Sequence, residues 1–181
     1  MKKAFFISII LLFITAFASG QLRMPNRPFT TLNSEKGYIT INEFTFGAGW
    51  ADDDVPFSQG YFGFTTLHAY HANETVIVGG ATGMLFYDDG LLIPLYADMR
   101  VNLKIDVLVP YLSASGGVLF DASNSGTGTK IFINPAIGIM APLSRSFAVN
   151  ISGGYQLQMA PNTNIASYVN GKAGITYKFL R

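Results

Sequence analysis

The chain contains no cysteine, so it can form no disulfide, thiolate nucleophile or cysteine-ligated metal centre. Charge is scarce as well: 13% of residues are charged, against roughly 25% in an ordinary soluble domain. Twelve basic residues against eleven acidic ones leave a formal charge of +1, which excludes a strongly basic nucleic-acid binder. His68 and His71 are the only histidines, and no cluster has zinc-ligand spacing. Beyond Gly20 no apolar run approaches the roughly 18 residues of a membrane-spanning helix. What is abundant is apolar surface, at 49% hydrophobic residues, which excludes intrinsic disorder. A length of 181 residues is near one domain's worth.

The N-terminus reads as a secretory signal peptide over residues 1–20. Lys2 and Lys3 form its basic start, Ala4 to Phe17 its apolar run, and Ala18-Ser19-Gly20 its small-residue cleavage site. The apolar run is short for an anchoring helix, which needs ~20 residues. Residues 21–36, with Pro25 and Pro28 and no periodicity, read as an extended periplasmic leader. The barrel described next is expected over 37–181.

From there the hydropathy alternates with period two, the strand signal. Over 93–103, Ile93, Leu95, Ala97, Met99, Val101 and Leu103 share one face; Pro94, Tyr96, Asp98, Arg100 and Asn102 share the other. Residues 146–159 set Phe147, Val149, Ile151, Tyr155, Leu157 and Met159 against Ala148, Asn150, Ser152, Gln156 and Gln158. The last strand opposes Val169, Ala173, Ile175, Tyr177 and Phe179 to Asn170, Lys172, Thr176 and Lys178. Residues 131–139 place four isoleucines on one face. Segments 38–50, 61–72, 75–87 and 107–120 are strand-like, but their facing is left open. Short turns near Ala72–Glu74, Lys104–Asp106 and Ser144–Ser146 alternate with longer connections at Ala51–Gly60, Asp88–Leu91, Asp121–Lys130 and Ala160–Ala166, the second of which is short. Eight strands with short turns at one end and longer loops at the other predict an all-β, antiparallel, up-and-down transmembrane β-barrel.

Glycine pairs Gly79-Gly80, Gly116-Gly117 and Gly153-Gly154 recur at equal spacing. They read either as remnants of hairpin duplication or as places where a narrow eight-stranded interior leaves no room for side chains. Composition separates a membrane barrel from a soluble one. Ten basic and eleven acidic residues remain after the signal peptide, too few to coat a soluble barrel. Aromatics stand where girdles at the bilayer interfaces belong: Phe44, Phe46 and Trp50; Tyr61, Phe62 and Phe64; Phe86 and Tyr87; Tyr177 and Phe179.

The stretch from His71 to Tyr111 carries a family resemblance. Its elements are Val78-Gly79-Gly80-Ala81-Thr82-Gly83, Ile93-Pro94-Leu95-Tyr96-Ala97-Asp98-Met99-Arg100 and Val109-Pro110-Tyr111. The closing Gly174-Ile175-Thr176-Tyr177-Lys178-Phe179 adds to them. With these the chain resembles the small outer-membrane β-barrel domain of Bacteroidetes-type bacteria, similar in architecture to the membrane domains of the OmpA and OmpX type. The resemblance implies a location in a Gram-negative envelope far more than an activity. One departure is the ending Leu180-Arg181, where barrel-assembly signals usually finish on an aromatic.

Asp98, Arg100, Asn102, Asn134, Gln156 and Lys172, with Gln158, are expected to point inward as a polar network filling the lumen, because a buried unpaired charge costs several kcal/mol. The reading set against this plug is a gated ion path, which an interior just wide enough for side chains disfavours. Asp52, Asp53, Asp54, Asp88, Asp89 and Asp121 are expected to form a solvated acidic rim at the outer end, with Lys130 the only base among those loops. No calcium-loop spacing is visible there. His68 would serve a lipid-modifying hydrolase only with a serine and an orienting carboxylate in reach, and its strand has no serine. The expectation is therefore no enzyme, no cofactor and no metal. The protein would be an exported barrel of the outer membrane that meets its lipid and the barrel-assembly machinery, with a protein or glycan partner at its outer loops. A small porin-like pore is the alternative, and a lipid-active enzyme the third.

Overall fold

A computed structural model describes residues 36–49, 59–103, 108–123, 128–160 and 163–179. Eight strands follow one another: β1 (Gly37–Gly49), β2 (Gly60–His71), β3 (Val76–Tyr87), β4 (Gly90–Asn102), β5 (Val109–Asp121), β6 (Lys130–Pro142), β7 (Phe147–Ala160) and β8 (Thr163–Lys178). Each pairs antiparallel with its neighbour in sequence, and β1 pairs with β8, so the sheet closes into a barrel. Closure leaves no edge strand and satisfies the backbone internally, which a bilayer demands. The signal peptide, all of the leader but Lys36, Trp50 and Asp52–Asp54 lie outside the described residues.

Short turns gather at the end where β1 begins and β8 finishes. Asn73 makes the β2–β3 turn by accepting from the backbone N–H of Thr75 and Val76, both at 2.8 Å. The hydroxyl of Ser144 plays the same part between β6 and β7, accepting from Ser146 and Phe147. Such side chains stand in for backbone partners, which is why Asn and Ser mark turns. The opposite end departs from expectation at Ala160–Ala166, while Asp88–Leu91 is short as expected. The β3–β4 connection is only Asp88 and Asp89, closed by the Tyr87–Gly90 pair, with Gly90 at a φ of 142° that favours glycine. The expected Ala160–Ala166 loop is mostly strand, because Ala166 and Tyr168 continue the inward alternation of β8 and pack inside. Long connections remain only at 50–59 and 122–129.

Alternate residues point into the barrel and out of it. The outer face carries exposed Phe44, Phe46, Phe62, Phe64 and Phe86 towards the loop end, and Tyr38, Tyr70, Phe147 and Phe179 towards the terminal end. Eight residues separate Tyr38 from Phe46. At ~3.4 Å per residue and a tilt of ~40°, this spans about 21 Å across the membrane, close to the ~25 Å apolar band of such barrels. Tyr61 and Tyr87, expected in the girdle, are instead buried inside the barrel. A closed sheet of this kind should migrate faster on electrophoresis before boiling than after it. Identical mobility of the two samples would contradict closure.

In each glycine pair one member faces the lumen and the other the bilayer. A Cβ on Gly117 would overlap the Leu95 carbonyl oxygen and the Tyr96 backbone, whereas one on Gly116 would find its nearest atom at 3.4 Å. Gly79 repeats the inward overlap, against the His68 carbonyl and Ala69, and Gly80 is free. Lack of interior room therefore accounts for one glycine of each pair and leaves its neighbour without a steric reason.

Candidate functional site

The middle of the lumen is built by three strands that reach across it. β4 sends in Asp98 and Arg100, β1 sends in Glu43, and β7 sends in Asn150. Arg100 grips Glu43 through two parallel bonds, Nη1 to Oε1 and Nη2 to Oε2, each 3.1 Å. Its Nε donates to Asp98 Oδ1 at 2.9 Å. Asn150 Nδ2 donates to Glu43 Oε1 at 2.6 Å and Thr176 donates to Asn150 at 3.4 Å. The guanidinium lies 5.4 Å from the centre of the Tyr111 ring, and Lys172 Nζ lies 5.8 Å from that of Tyr96. Planar donors matched to a carboxylate in this way hold geometry as well as charge. All three members of the Glu43–Arg100–Asp98 cluster are at most 4% exposed, so the cluster crosses the barrel axis as a bar.

Towards the loop end a second layer closes the lumen. Tyr61, Tyr87 and Tyr168 pack edge-on or tilted, with ring centres 5.0–6.2 Å apart. Tyr61 donates to Gln156 Oε1 at 2.9 Å, Asn170 donates to the Tyr61 hydroxyl at 3.2 Å, and Gln158 donates to the Tyr87 hydroxyl at 2.7 Å. Asn134 is buried beneath this layer, with its backbone carbonyl accepting from Ser115 at 3.5 Å. Asn102 is buried nearer the terminal end, beside neither layer's hydrogen bonds. His71 is fully buried at that end, its Nδ1 3.4 Å from the Asn73 carbonyl.

The predicted lumen residues thus divide. Asp98 and Arg100 meet directly, and Lys172 stands beside them over Tyr96. Gln156 and Gln158 belong to the tyrosine layer, while Asn102 and Asn134 join neither. The lumen is also less polar than expected. Ile39, Ile41, Leu67, Ala69, Ile77, Ala81 and Leu85 line its β1–β3 wall, because the polar inward residues are concentrated on β4, β7 and β8. Glu43, the hub of the cluster, was not singled out from sequence. The signal available was its isolation: it is the lone acid of β1, in a strand whose two faces are both largely apolar.

Of the acidic rim, Asp88 and Asp89 are exposed in the β3–β4 turn, and Asp121 is half-buried where β5 ends. Asp121 is used locally, accepting from the Ser123 N–H at 2.8 Å, and Ser123 in turn ties the loop to Leu91 of β4. Lys130 is buried within reach of the charges of Asp121 and Asp89, so part of the rim is compensated. Among the described residues no group of three metal-ligating side chains forms. His68 points outward, its Nδ1 2.5 Å from the Tyr38 hydroxyl.

No family model and no curated protein matches the chain. Solved structures do. Neisserial surface protein A aligns at 13% identity and a TM-score of 0.59, over 81% of this chain and 100% of its own. The N-terminal β-barrel domain of Pseudomonas aeruginosa OprF aligns at 14% identity and 0.54, over 80% and 100%. The chain has the fold of the small outer-membrane barrels. A de novo designed transmembrane β-barrel aligns at 16% identity and 0.51, over 86% and 100%. The fold by itself fixes no chemistry.

Proposed function

We propose that the protein is exported by its N-terminal signal to the outer membrane. There it serves as a closed structural or surface-interaction barrel, its work carried by the chain at the loop end. The observation that carries this reading is the Arg100 bar: a bidentate ion pair reaching across the lumen, with the tyrosine layer above it, fills the interior with paired side chains and argues against a path for a hydrated ion. Termini and short turns then face the periplasm, and segments 50–59 and 122–129 face the exterior, where a protein or glycan would be met. The acids Asp52–Asp54 and Asp88–Asp89 would give that surface a negative character. Folding would pass through the barrel-assembly machinery.

A second reading, a narrow pore, draws support from unmatched polar atoms along the lumen. Asp98 Oδ2, Asn102 Nδ2, Asn134 Oδ1, Gln158 Oε1, Asn170 Oδ1 and His71 Nε2 are buried without a partner among the described residues. Buried water serves such groups in proteins, and a hydrated lumen is the starting point for conduction. Liposome swelling separates the two. Purified barrel in sealed vesicles should admit neither ions nor small sugars, and planar bilayers should show no unitary currents. Stable single channels from the wild-type protein would decide for the pore. Among the described residues His68 has a tyrosine and not a nucleophile beside it, so its role is read as interfacial. Lipid turnover by the purified protein, lost in His68→Ala, would reverse that.

A further inference from the structure

The bilayer face of the barrel is not uniform. The β6–β8 wall is coated with Ile133, Ile137, Ile139, Ile151, Ile165 and Ile175, all strongly exposed. Across the barrel, Asn42 of β1, Thr66 of β2 and Thr82 of β3 stand side by side as one cross-strand row. Asn42 and Thr82 are exposed and Thr66 half-exposed, and all three point outward. The row lies midway between the girdles, four residues from both Tyr38 and Phe46 along β1. Next to it Gly80, Ala97 and Gly116 form a second row of minimal side chains. An amide and two hydroxyls thus face hydrocarbon, where no water can serve them.

We propose that this face is the contact surface for a second copy of the chain, packed side by side in the same membrane. Three features argue for an identical partner. The row carries no charge, so it offers no ionic partner to a charged helix or to a phosphate. Its amide and hydroxyls each donate and accept, so the row is complementary to itself, as a two-fold interface requires. Copies of one chain insert in one orientation to one depth. A two-fold axis along the membrane normal and passing by Thr66 therefore sets Thr66 opposite Thr66 of the other copy, with the row of one copy facing the reversed row of the other. The row of Gly80, Ala97 and Gly116 lets the two walls approach closely, as small residues do where membrane segments pack. The inference rests on the barrel spanning a bilayer and is independent of whether its lumen conducts.

The absence of cysteine makes the test direct. Thr66→Cys should form a disulfide-linked dimer on oxidation in dilute phospholipid vesicles. Ile137→Cys, on the opposite wall and 64% exposed, should stay monomeric. Adding Asn42→Leu and Thr82→Val to Thr66→Cys should cut the dimer yield at least tenfold, while the fast unboiled band shows that the barrel remains folded. Equal cross-linking at both walls, or a yield that the double substitution leaves unchanged, would overturn the proposal. So would cross-links that form in native membranes to a different protein and are absent with the purified chain.

Discussion

Arg100→Met is expected to lower the free energy of unfolding by about 3–5 kcal/mol, the usual cost of breaking a buried ion pair. The loss does not measure what the cluster contributes to stability, since a well-packed apolar replacement of the whole cluster can be as stable. It arises because the carboxyl groups of Glu43 and Asp98 would be left inside the lumen without the guanidinium that pairs with both. Two further variants make the point separable. Glu43→Gln alone leaves Arg100 held by Asp98 and should cost less than Arg100→Met. The triple variant Glu43→Gln, Asp98→Asn, Arg100→Met removes charge from all three and should regain part of the loss. Urea titration in vesicles, read from the fast-migrating unboiled band, measures each. A barrel as stable with Arg100→Met as without it would mean that the cluster is not the buried bar described above.

The second large effect contrasts two adjacent residues. Gly117→Val should abolish the folded, fast-migrating band, while Gly116→Val should leave it intact. The inward Cβ at 117 meets backbone of β4, not the end of a flexible side chain. β4 is hydrogen-bonded on both sides, to β3 and β5, so it cannot retreat without breaking a ladder. Overpacking of a well-filled core typically costs about 1–3 kcal/mol, occasionally more, when side chains can adjust. Here the obstacle is main chain, which places the expectation at the upper end or beyond. At 116 the added methyl groups point into lipid. Circular dichroism and the gel shift of both variants, refolded in parallel, decide it. Equal behaviour of the pair would refute the assignment of inner and outer glycine.

How legible the barrel was in sequence depended on what each strand carries inside. In β4, Asp98, Arg100 and Asn102 alternate with Ala97, Met99 and Val101, so hydropathy reports facing directly. β7 and β8 do the same with Asn150, Gln156, Gln158, Asn170 and Thr176. In β1–β3 the inward positions include Ile39, Ile41, Leu67, Ile77 and Leu85. Apolar side chains then occupy both faces and the period-two signal fades. That fading hid the inward turn of Tyr61 and Tyr87, and with it the tyrosine layer. It also hid Glu43. The Glu43–Arg100 pair joins residues far apart in sequence, on strands that are not neighbours in the sheet. No pattern within one strand can report a contact across a lumen; it exists only after the sheet has curled.

That last point bears on how the chain is assembled. Seven of the eight strand pairings join consecutive strands, and only β1–β8 brings the two ends of the chain together. In a flat, unclosed sheet β1 and β4 would stand three strand spacings apart, about 14 Å at ~4.8 Å each, beyond the reach of their side chains. Asp98 and Arg100 share β4 and are paired from the start, but Glu43 on β1 and Lys172 on β8 flank the seam itself. The charge cluster therefore reaches its complete composition only when the seam zips. A sheet that added or lost a strand would close with its carboxylates and cations out of register. The buried charges thus tie the completion of the cluster to closure of the sheet, through residues beside the one pairing that joins the two ends of the strand order.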